Sequence, residues 1–291
     1  MVRDIRRRSF LSGAAASLVA PRAFAAGAEA RVVTLEWAAT EIALSLGVSP
    51  VGCAEIAGYR EWVNVAAHGL ANAVDVGRRQ QPNLEAIRKL QPDLILSSRY
   101  RHATIAEALG AIAPLHLLDD QSNTGDMLAS VYESTRQAGE ALSLSSEAAA
   151  LLTRFDDDVQ ALKSEYASTV SARKVVVAQP LPGVPRLRVF APNAAICGIL
   201  KRIGFSDAME MPPQPFGFTT IDIEGLAALD AETTLVVLSQ TLPQELTASS
   251  LWPLLPIVTS GHVLHTGPQS WPFGSSVSLI RLTRDIVGKF S

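Results

Sequence analysis

The chain has 291 residues, 48% of them hydrophobic and 18% charged. That is enough apolar material for two domain cores, because a single core stops growing near ~250–300 residues. A formal net charge of −3 excludes the basic face that nucleic acid requires, and no run approaches the ~20 consecutive apolar residues of a membrane-spanning helix.

The first segment reads as an address rather than as structure. Arg3, Arg6, Arg7 and Arg8 precede a modest apolar stretch from Phe10 to Ala20, and Ala23-Phe24-Ala25 forms a small-x-small cleavage site. That order predicts an export signal over residues 1–25. Its Arg7-Arg8-Ser9-Phe10-Leu11 run has the form of a twin-arginine signal, which exports folded chains. No cysteine follows the cleavage site, so a soluble periplasmic protein is expected. Removing the signal takes away five arginines and one aspartate and leaves 20 basic against 27 acidic residues, a net charge of −7.

From Arg31 onward, short β runs alternate with helical stretches. Residues 31–35, 50–54, 93–97 and 115–118 read as strands, with helices over 40–46 and 83–90. A second set of strands follows at 174–178, 187–190, 234–238 and 262–266. Such alternation predicts mainly parallel sheets with covering helices. Between the sets, Ala148, Leu151, Leu152, Phe155, Val159, Leu162 and Tyr166 trace one stripe of a helix beginning near Ser145, a candidate N-cap. At 1.5 Å per residue its roughly 24 residues span about 36 Å. The expected fold class is therefore α/β: an N-terminal lobe over 26–143, a connecting helix over 144–170 and a C-terminal lobe over 171–291. Such a stiff helix between the lobes is expected to resist wide closure. Asn83-Leu84-Glu85-Ala86-Ile87 and Asp222-Ile223-Glu224-Gly225-Leu226 each precede a buried strand, a faint internal repeat that fits two lobes. Cys53 and Cys197 fall in different lobes and are expected as separate buried thiols.

The sequence lacks the constellations of an enzyme. It has no G-x-G-x-x-G after a strand, no phosphate-cradling loop, no G-x-S-x-G elbow and no H-E-x-x-H helix. The five histidines show no metal-ligand spacing. What remains is a set of aromatic and arginine residues in expected loops: Trp37, Tyr59, Arg60, Trp62, Arg79, Tyr100, Phe216, Phe218, Trp271 and Phe273. Rings at strand ends suit an amphipathic ligand in a cleft.

Several runs carry a family likeness across nearly all of the chain after the signal. They are Val33-Thr34-Leu35-Glu36-Trp37, Tyr59-Arg60-Glu61-Trp62-Val63, Asp75-Val76-Gly77-Arg78-Arg79, Gln81-Pro82-Asn83-Leu84-Glu85, Val189-Phe190-Ala191-Pro192-Asn193 and Trp271-Pro272-Phe273-Gly274. In these the chain resembles the periplasmic ferric-hydroxamate (ferrichrome-type) binding proteins of bacterial iron ABC importers. The resemblance implies two lobes joined by a rigid helix and a shallow cleft that takes a ferric hydroxamate siderophore. It implies no cofactor and no metal ligand from the protein, because iron is held only through the siderophore. By position, Arg79 matches the arginine that reaches the hydroxamate oxygens and Tyr100 the tyrosine that assists it. Trp62, Phe216, Trp271 and Phe273 match aromatic walls, and Gln214 a polar rim residue; Arg60 and Arg188 join the expected ligand set. Glu85 and Glu224 match the surface glutamates, one per lobe, that dock on the inner-membrane permease subunits. The expected protein is a monomer and no enzyme. The same fold also serves other iron–siderophores, cobalamin and haem.

The departures from that pattern are specific. Phe216 and Phe273 stand where the family shows Trp and Tyr, and Phe218 stands where a small hydroxyl residue is expected. Arg99, Arg101 and Arg188 add more positive charge than a neutral ferric trihydroxamate demands, which points to a ligand that carries carboxylates.

Overall fold

The computed structural model describes residues 30–120 and 125–290; the expected export signal lies outside the described residues. The first lobe opens on β1 (Val32–Thr34), three β-branched residues that are all buried. β2 (Gly52–Cys53) and β3 (Val74–Asp75) follow, then a small hairpin of β4 (Gly77–Arg78) and β5 (Gln81–Pro82), then β6 (Leu94–Ser98) and β7 (Leu115–Leu118). The main sheet has the order β3-β2-β1-β6-β7 and is parallel throughout. Parallel strands are covered on both faces, which is why β1 and β6 read as unbroken runs of shielded residues rather than as alternation.

The second lobe contains β8 (Lys174–Pro180), β9 (Leu187–Phe190), β10 (Ser206–Asp207), β11 (Phe218–Ile221), β12 (Thr234–Val237) and β13 (Val263–His265). Its order is β11-β9-β8-β12-β13, with β10 also paired to β8. Here the mainly parallel pattern carries an antiparallel edge. β8, β10, β12 and β13 pair in parallel, but β9 and β11 are antiparallel additions. The connection from β8 to β9 is only residues 181–186, too short for the crossover a parallel pair needs, so the chain must double back. In the β9–β11 register Arg188 lies opposite Thr220 and Phe190 opposite Phe218. Arg188 and Phe218 are thus diagonal neighbours on one face of the sheet.

The connecting helix is Ser145–Val170, 26 residues, with Ala148, Leu151, Leu152, Phe155, Val159 and Leu162 buried along the expected stripe and Tyr166 half-buried. Ser145 is its first helical residue, not its cap; Leu144 holds the cap position and supplies no side-chain bond. The helix Met127–Ala141, capped by Asp126, serves both lobes. Its Leu128 and Val131 join Phe155, Ile196, Leu279 and Ile286 in the second-lobe core. Cys53 and Cys197 are free buried thiols.

A second tie crosses the lobes. Glu41, fully buried on the first-lobe helix Trp37–Ser45, accepts the Ser275 N–H (2.9 Å), the Ser278 N–H (2.8 Å) and the Ser278 hydroxyl (2.6 Å). It thereby caps the C-terminal helix Ser276–Gly288, whose own cap residue Ser275 makes no side-chain bond. Burial raises the Glu41 carboxyl above its usual range, and the three donors oppose that rise. One turn further on, Arg281 donates to the Val63 carbonyl at 2.5 Å and to the Gln269 carbonyl at 3.1 Å. From Arg31 onward the chain forms one compact unit. The two half-repeats also hold: Asn83 caps the helix Leu84–Lys89 before β6, and Asp222 caps Ile223–Leu226 before β12.

Candidate ligand-binding site

The functional side chains come from the segments that leave the parallel strands of the first lobe. Glu36 follows β1, Glu55 follows β2, and Arg99-Tyr100-Arg101 follow β6 directly. Ligands of open α/β sheets gather at these carboxyl ends. Arg79 is delivered by the hairpin: Arg78 pairs with Gln81, so Arg79 and Gln80 form a two-residue loop. The Asp75-Val76-Gly77 run shapes that loop. Asp75 accepts the Ile56 N–H at 2.9 Å and the Gly77 N–H at 2.8 Å, and Gly77 sits at φ +93°, where a side chain is strained.

Arg79 is only 9% exposed. Its Nη1 donates to Glu36 Oε1 at 2.7 Å and its Nε to Glu55 Oε2 at 2.9 Å. Its guanidinium carbon stands 3.5 Å from the Trp37 ring centroid and 5.6 Å from that of Trp271. Glu55 reaches it from a left-handed backbone, φ 52° and ψ 54°, a strain that persists only where surroundings impose it. His102 fixes the main chain beneath. Its Nε2–H donates to the Arg79 carbonyl (2.7 Å), and the Ser97 hydroxyl donates to Nδ1 (2.5 Å). The carbonyl only accepts, which sets the tautomer, and burial pulls the His102 pKa below its usual value.

Glu36 is saturated. It takes the Trp37 N–H at 3.0 Å, Arg79, and the Nε of Arg101. Burial alone would raise its pKa, but the guanidiniums of Arg79 and Arg101 and the bonds from Arg79 and Trp37 prevail and hold it below the usual carboxylate value. Asp120 behaves oppositely. It accepts from the Ser98 hydroxyl through one oxygen, its other oxygen is buried with no partner among the described residues, and burial raises its pKa.

Between the lobes these groups line a cavity of about 580 Å³. Glu36, Arg79, Tyr100, Arg101 and Asp120 face it from the first lobe. Arg188, Phe216, Phe218, Trp271 and Phe273 face it from the second-lobe segments. The rings form a continuous wall. Phe218 lies 6.1 Å from Phe216 and 5.7 Å from Phe273, and Phe273 lies 5.4 Å from Trp271. Tyr100 and Phe216 meet edge-on across the lobes at 5.3 Å. Eight buried side-chain polar atoms lack a partner among the described residues, and five of them line this cavity: Asp120 Oδ1, Ser130 Oγ, Ser134 Oγ, Arg188 Nε and Trp271 Nε1. Folded proteins pair buried polar groups, so their concentration here marks a surface built to meet a polar ligand.

Of the residues expected at the ligand, Arg79, Tyr100, Trp271, Phe216, Phe273 and Arg188 line the cavity, while Trp62, Gln214 and Arg60 do not. Trp62 is 38% exposed and stands behind Trp271, 6.2 Å from it. Gln214 turns its amide back on the Pro212 carbonyl, at 2.9 Å. Asn193 holds its main chain through a pair of bonds, and so sets the loop that carries Phe216. Arg60 donates to the Leu70 carbonyl at 3.1 Å. Two rings expected in loops are core residues: Trp37 starts a helix, and Tyr59 is fully buried with its hydroxyl donating to the Val65 carbonyl at 2.8 Å. The Tyr-Arg-x-Trp-Val run is therefore largely structural. The extra arginines also resolve. Arg99 pairs with Asp119 at 2.5 Å and Arg101 pairs with Glu36. Sequence reading missed Glu36, Asp120 and His102 as site residues. Only Glu36, inside a matching run, carried a signal.

Among the described residues no cluster of His, Cys, Asp or Glu is arranged to hold a metal ion, and no helix is long and apolar enough to cross a membrane.

Comparison with known proteins agrees with this architecture. The iron(3+)-hydroxamate-binding protein FhuD of Escherichia coli is 29% identical over 257 residues, 87% of this chain and 84% of its own. The Fe(3+)-citrate-binding protein YfmC of Bacillus subtilis is 26% identical, over 84% of this chain and 75% of its own. Among solved structures, the Fe3+–Desferal-bound siderophore-binding protein FhuD from Vibrio cholerae superposes with a TM-score of 0.78 at 25% identity, over 90% of this chain and 98% of that one. Staphylococcus aureus SirA complexed with staphyloferrin B gives 0.69 at 26%, over 90% and 94%. The family model described as "Periplasmic binding protein" matches residues 32–270, and the chain accordingly belongs to the periplasmic binding protein family, whose members bind solutes and are not enzymes.

Proposed function

We propose that this chain is the periplasmic substrate-binding component of an iron–siderophore ABC importer and that its ligand presents iron-bound hydroxamates. The observation that carries the reading is the inter-lobe cavity itself: an aromatic wall, two ring-stacked arginines and most of the unpartnered buried polar atoms among the described residues. Relatives that bind ferric hydroxamate and the Fe3+–Desferal complex support it.

The chemistry follows from how the first-lobe charges are arranged. Arg79 and Arg101 stand against Glu36 and Glu55, so that wall is close to neutral. A guanidinium has five N–H donors, and Arg79 commits only two of them to carboxylates. The others offer fixed, charge-assisted bonds to electron-rich hydroxamate oxygens without imposing a net charge on a neutral complex. Tyr100 adds a hydroxyl and a ring. Iron is cargo, already enclosed by the ligand's oxygens, so the protein supplies donors and rings rather than metal ligands. Glu85, exposed on its helix and joined only to Lys89 at 2.9 Å, and Glu224, also exposed, are the docking points for the two permease subunits. The reading places the protein in the periplasm, delivered by a twin-arginine-type signal.

Trp271 in the cavity wall provides the assay. Adding a ferric trihydroxamate should quench tryptophan emission saturably at micromolar concentration or below, and Arg79→Ala should weaken binding by about tenfold or more. Absence of saturable quenching with any ferric hydroxamate rejects the reading.

A further inference from the structure

Resting on the reading above, we infer that Arg188 is a carboxylate subsite, so that the natural ligand joins its iron-bound hydroxamates to a free carboxylate facing the second lobe.

The inference starts from a contrast among four arginines. Arg79 has two carboxylate partners, Arg101 has Glu36 and Arg99 has Asp119. Arg188 has no carboxylate within ion-pair reach among the described residues. Its one protein bond runs from Nη1 to the amide oxygen of Gln179, at 2.7 Å. Its Nε is buried and without a partner, and burial pulls down its readiness to hold the charge. A guanidinium nonetheless stays ionised, so the second-lobe wall carries a half-buried cation with no counter-charge among the described residues. Proteins seldom keep such a group unless something meets it.

The surroundings hold this cation in place. The Arg188 guanidinium lies 4.3 Å from the Phe218 ring centroid and 5.3 Å from that of Phe273. The diagonal register of β9 and β11 fixes the first of those contacts. Ring faces stabilise a cation but do not neutralise it. Phe218 is also the position where a small hydroxyl residue was expected from the sequence. The large ring there doubles as a platform that keeps the guanidinium on the cavity surface instead of letting it swing out to water.

Charge balance across the cavity leads to the same ligand. The first-lobe wall offers compensated donors, suited to a neutral iron–hydroxamate core. Asp120 on that wall does not answer Arg188: it accepts from the Ser98 hydroxyl and makes no ion pair among the described residues. Arg188 is therefore left without a counter-charge within ion-pair reach on the second-lobe side. A carboxylate there fits the guanidinium's planar fork.

The test uses the wild-type protein and two ferric complexes of one hydroxamate ligand, the first with a free carboxylate and the second with that carboxylate converted to its primary amide. Tryptophan quenching should show the carboxylate form binding more tightly by at least about tenfold, the scale of one charge-assisted bond. In Arg188→Met the ratio of the two affinities should fall to about one. Replacing an unpaired, half-buried cation by Met should not lower the thermal unfolding temperature of the free protein, so loss of the ratio reports recognition and not misfolding. If both complexes bind wild type equally, or if Arg188→Met preserves the ratio, the carboxylate subsite is wrong while the siderophore reading stands. If neither complex binds, the siderophore reading itself falls, and this inference with it.

Discussion

Glu41 is the residue whose removal should most change how the two lobes hold together. Its carboxylate caps the C-terminal helix across the lobes through the Ser275 N–H, the Ser278 N–H and the Ser278 hydroxyl. In Glu41→Ala the hydroxyl can turn to the Ser275 carbonyl, which it already approaches at 3.2 Å, but the two backbone N–H groups stay buried and unpaired. At ~1–3 kcal/mol for each orphaned donor, and with a side-chain void added, the expected loss is about 3–5 kcal/mol. At ~2–4 °C per kcal/mol that corresponds to roughly 6–20 °C in Tm. Gly274 offers an independent test of the same latch. A methyl group there would stand 1.9 Å from Ser278 Oγ and 2.7 Å from Glu41 Oε2, so Gly274→Ala should destabilise through the same contacts. The double variant should lose less than the sum of the two single losses. Differential scanning calorimetry of the ligand-free proteins reads all three. If Glu41→Ala and Gly274→Ala both melt within about 1 °C of wild type, the proposed latch carries no stability and the rigidity of the cleft must come from the Ser145–Val170 helix alone.

The other expectations are more local. Glu36→Gln leaves Arg79 and Arg101 under-paired and should cost about 2–4 kcal/mol near neutral pH. Because the folded Glu36 carboxyl lies below its usual 4.5, its contribution is complete above that pH and is lost as pH falls. The stability difference between wild type and Glu36→Gln, read by urea unfolding, should therefore shrink below about pH 4.5. Glu41 is displaced upward and acts in the opposite sense, but it is common to both proteins and cancels in the difference; Asp120 is raised mainly by burial and in part by the Glu36 charge, so only the burial part cancels. A difference that stays constant down to pH 3.5 would contradict the pairing. Reversing Glu85 and Glu224 together to Lys should abolish siderophore-dependent growth while ligand affinity in vitro is unchanged; normal growth would remove their docking role.

Much of the architecture was legible because burial leaves a period in the sequence. The stripe Ala148–Leu162 located the connecting helix to within a few residues, and unbroken apolar runs located β1, β6, β8 and β12. The antiparallel edge formed by β11 was not legible. Phe218–Ile221 is short, follows a Gly and Pro-rich loop and is only partly shielded, so it lacks the signature of a covered strand. Trp37 looked like a loop residue because the cap of its helix is the side chain of Glu36, an uncommon capping residue. For the site, resemblance fixed positions along the chain but not side-chain directions. It brought Arg79 and Tyr100 to one cavity, yet Gln214 and Arg60 spend their donors on neighbouring carbonyls. The counter-charge Glu36 stayed hidden because an acid that neutralises an arginine looks, in sequence, like any other acid, and Asp120, bonded to Ser98, carried no signal either.

The central claim is that the inter-lobe cavity holds the iron complex between Arg79 and the ring wall of the second lobe. Crystals grown with a ferric trihydroxamate and measured at the iron absorption edge locate the metal without reference to any assumed pose. The account predicts one strong anomalous peak inside the cavity, flanked by Arg79, Tyr100 and Trp271, with no protein atom in the iron's coordination shell. A peak outside the cavity, or iron bound directly by protein side chains, would contradict it.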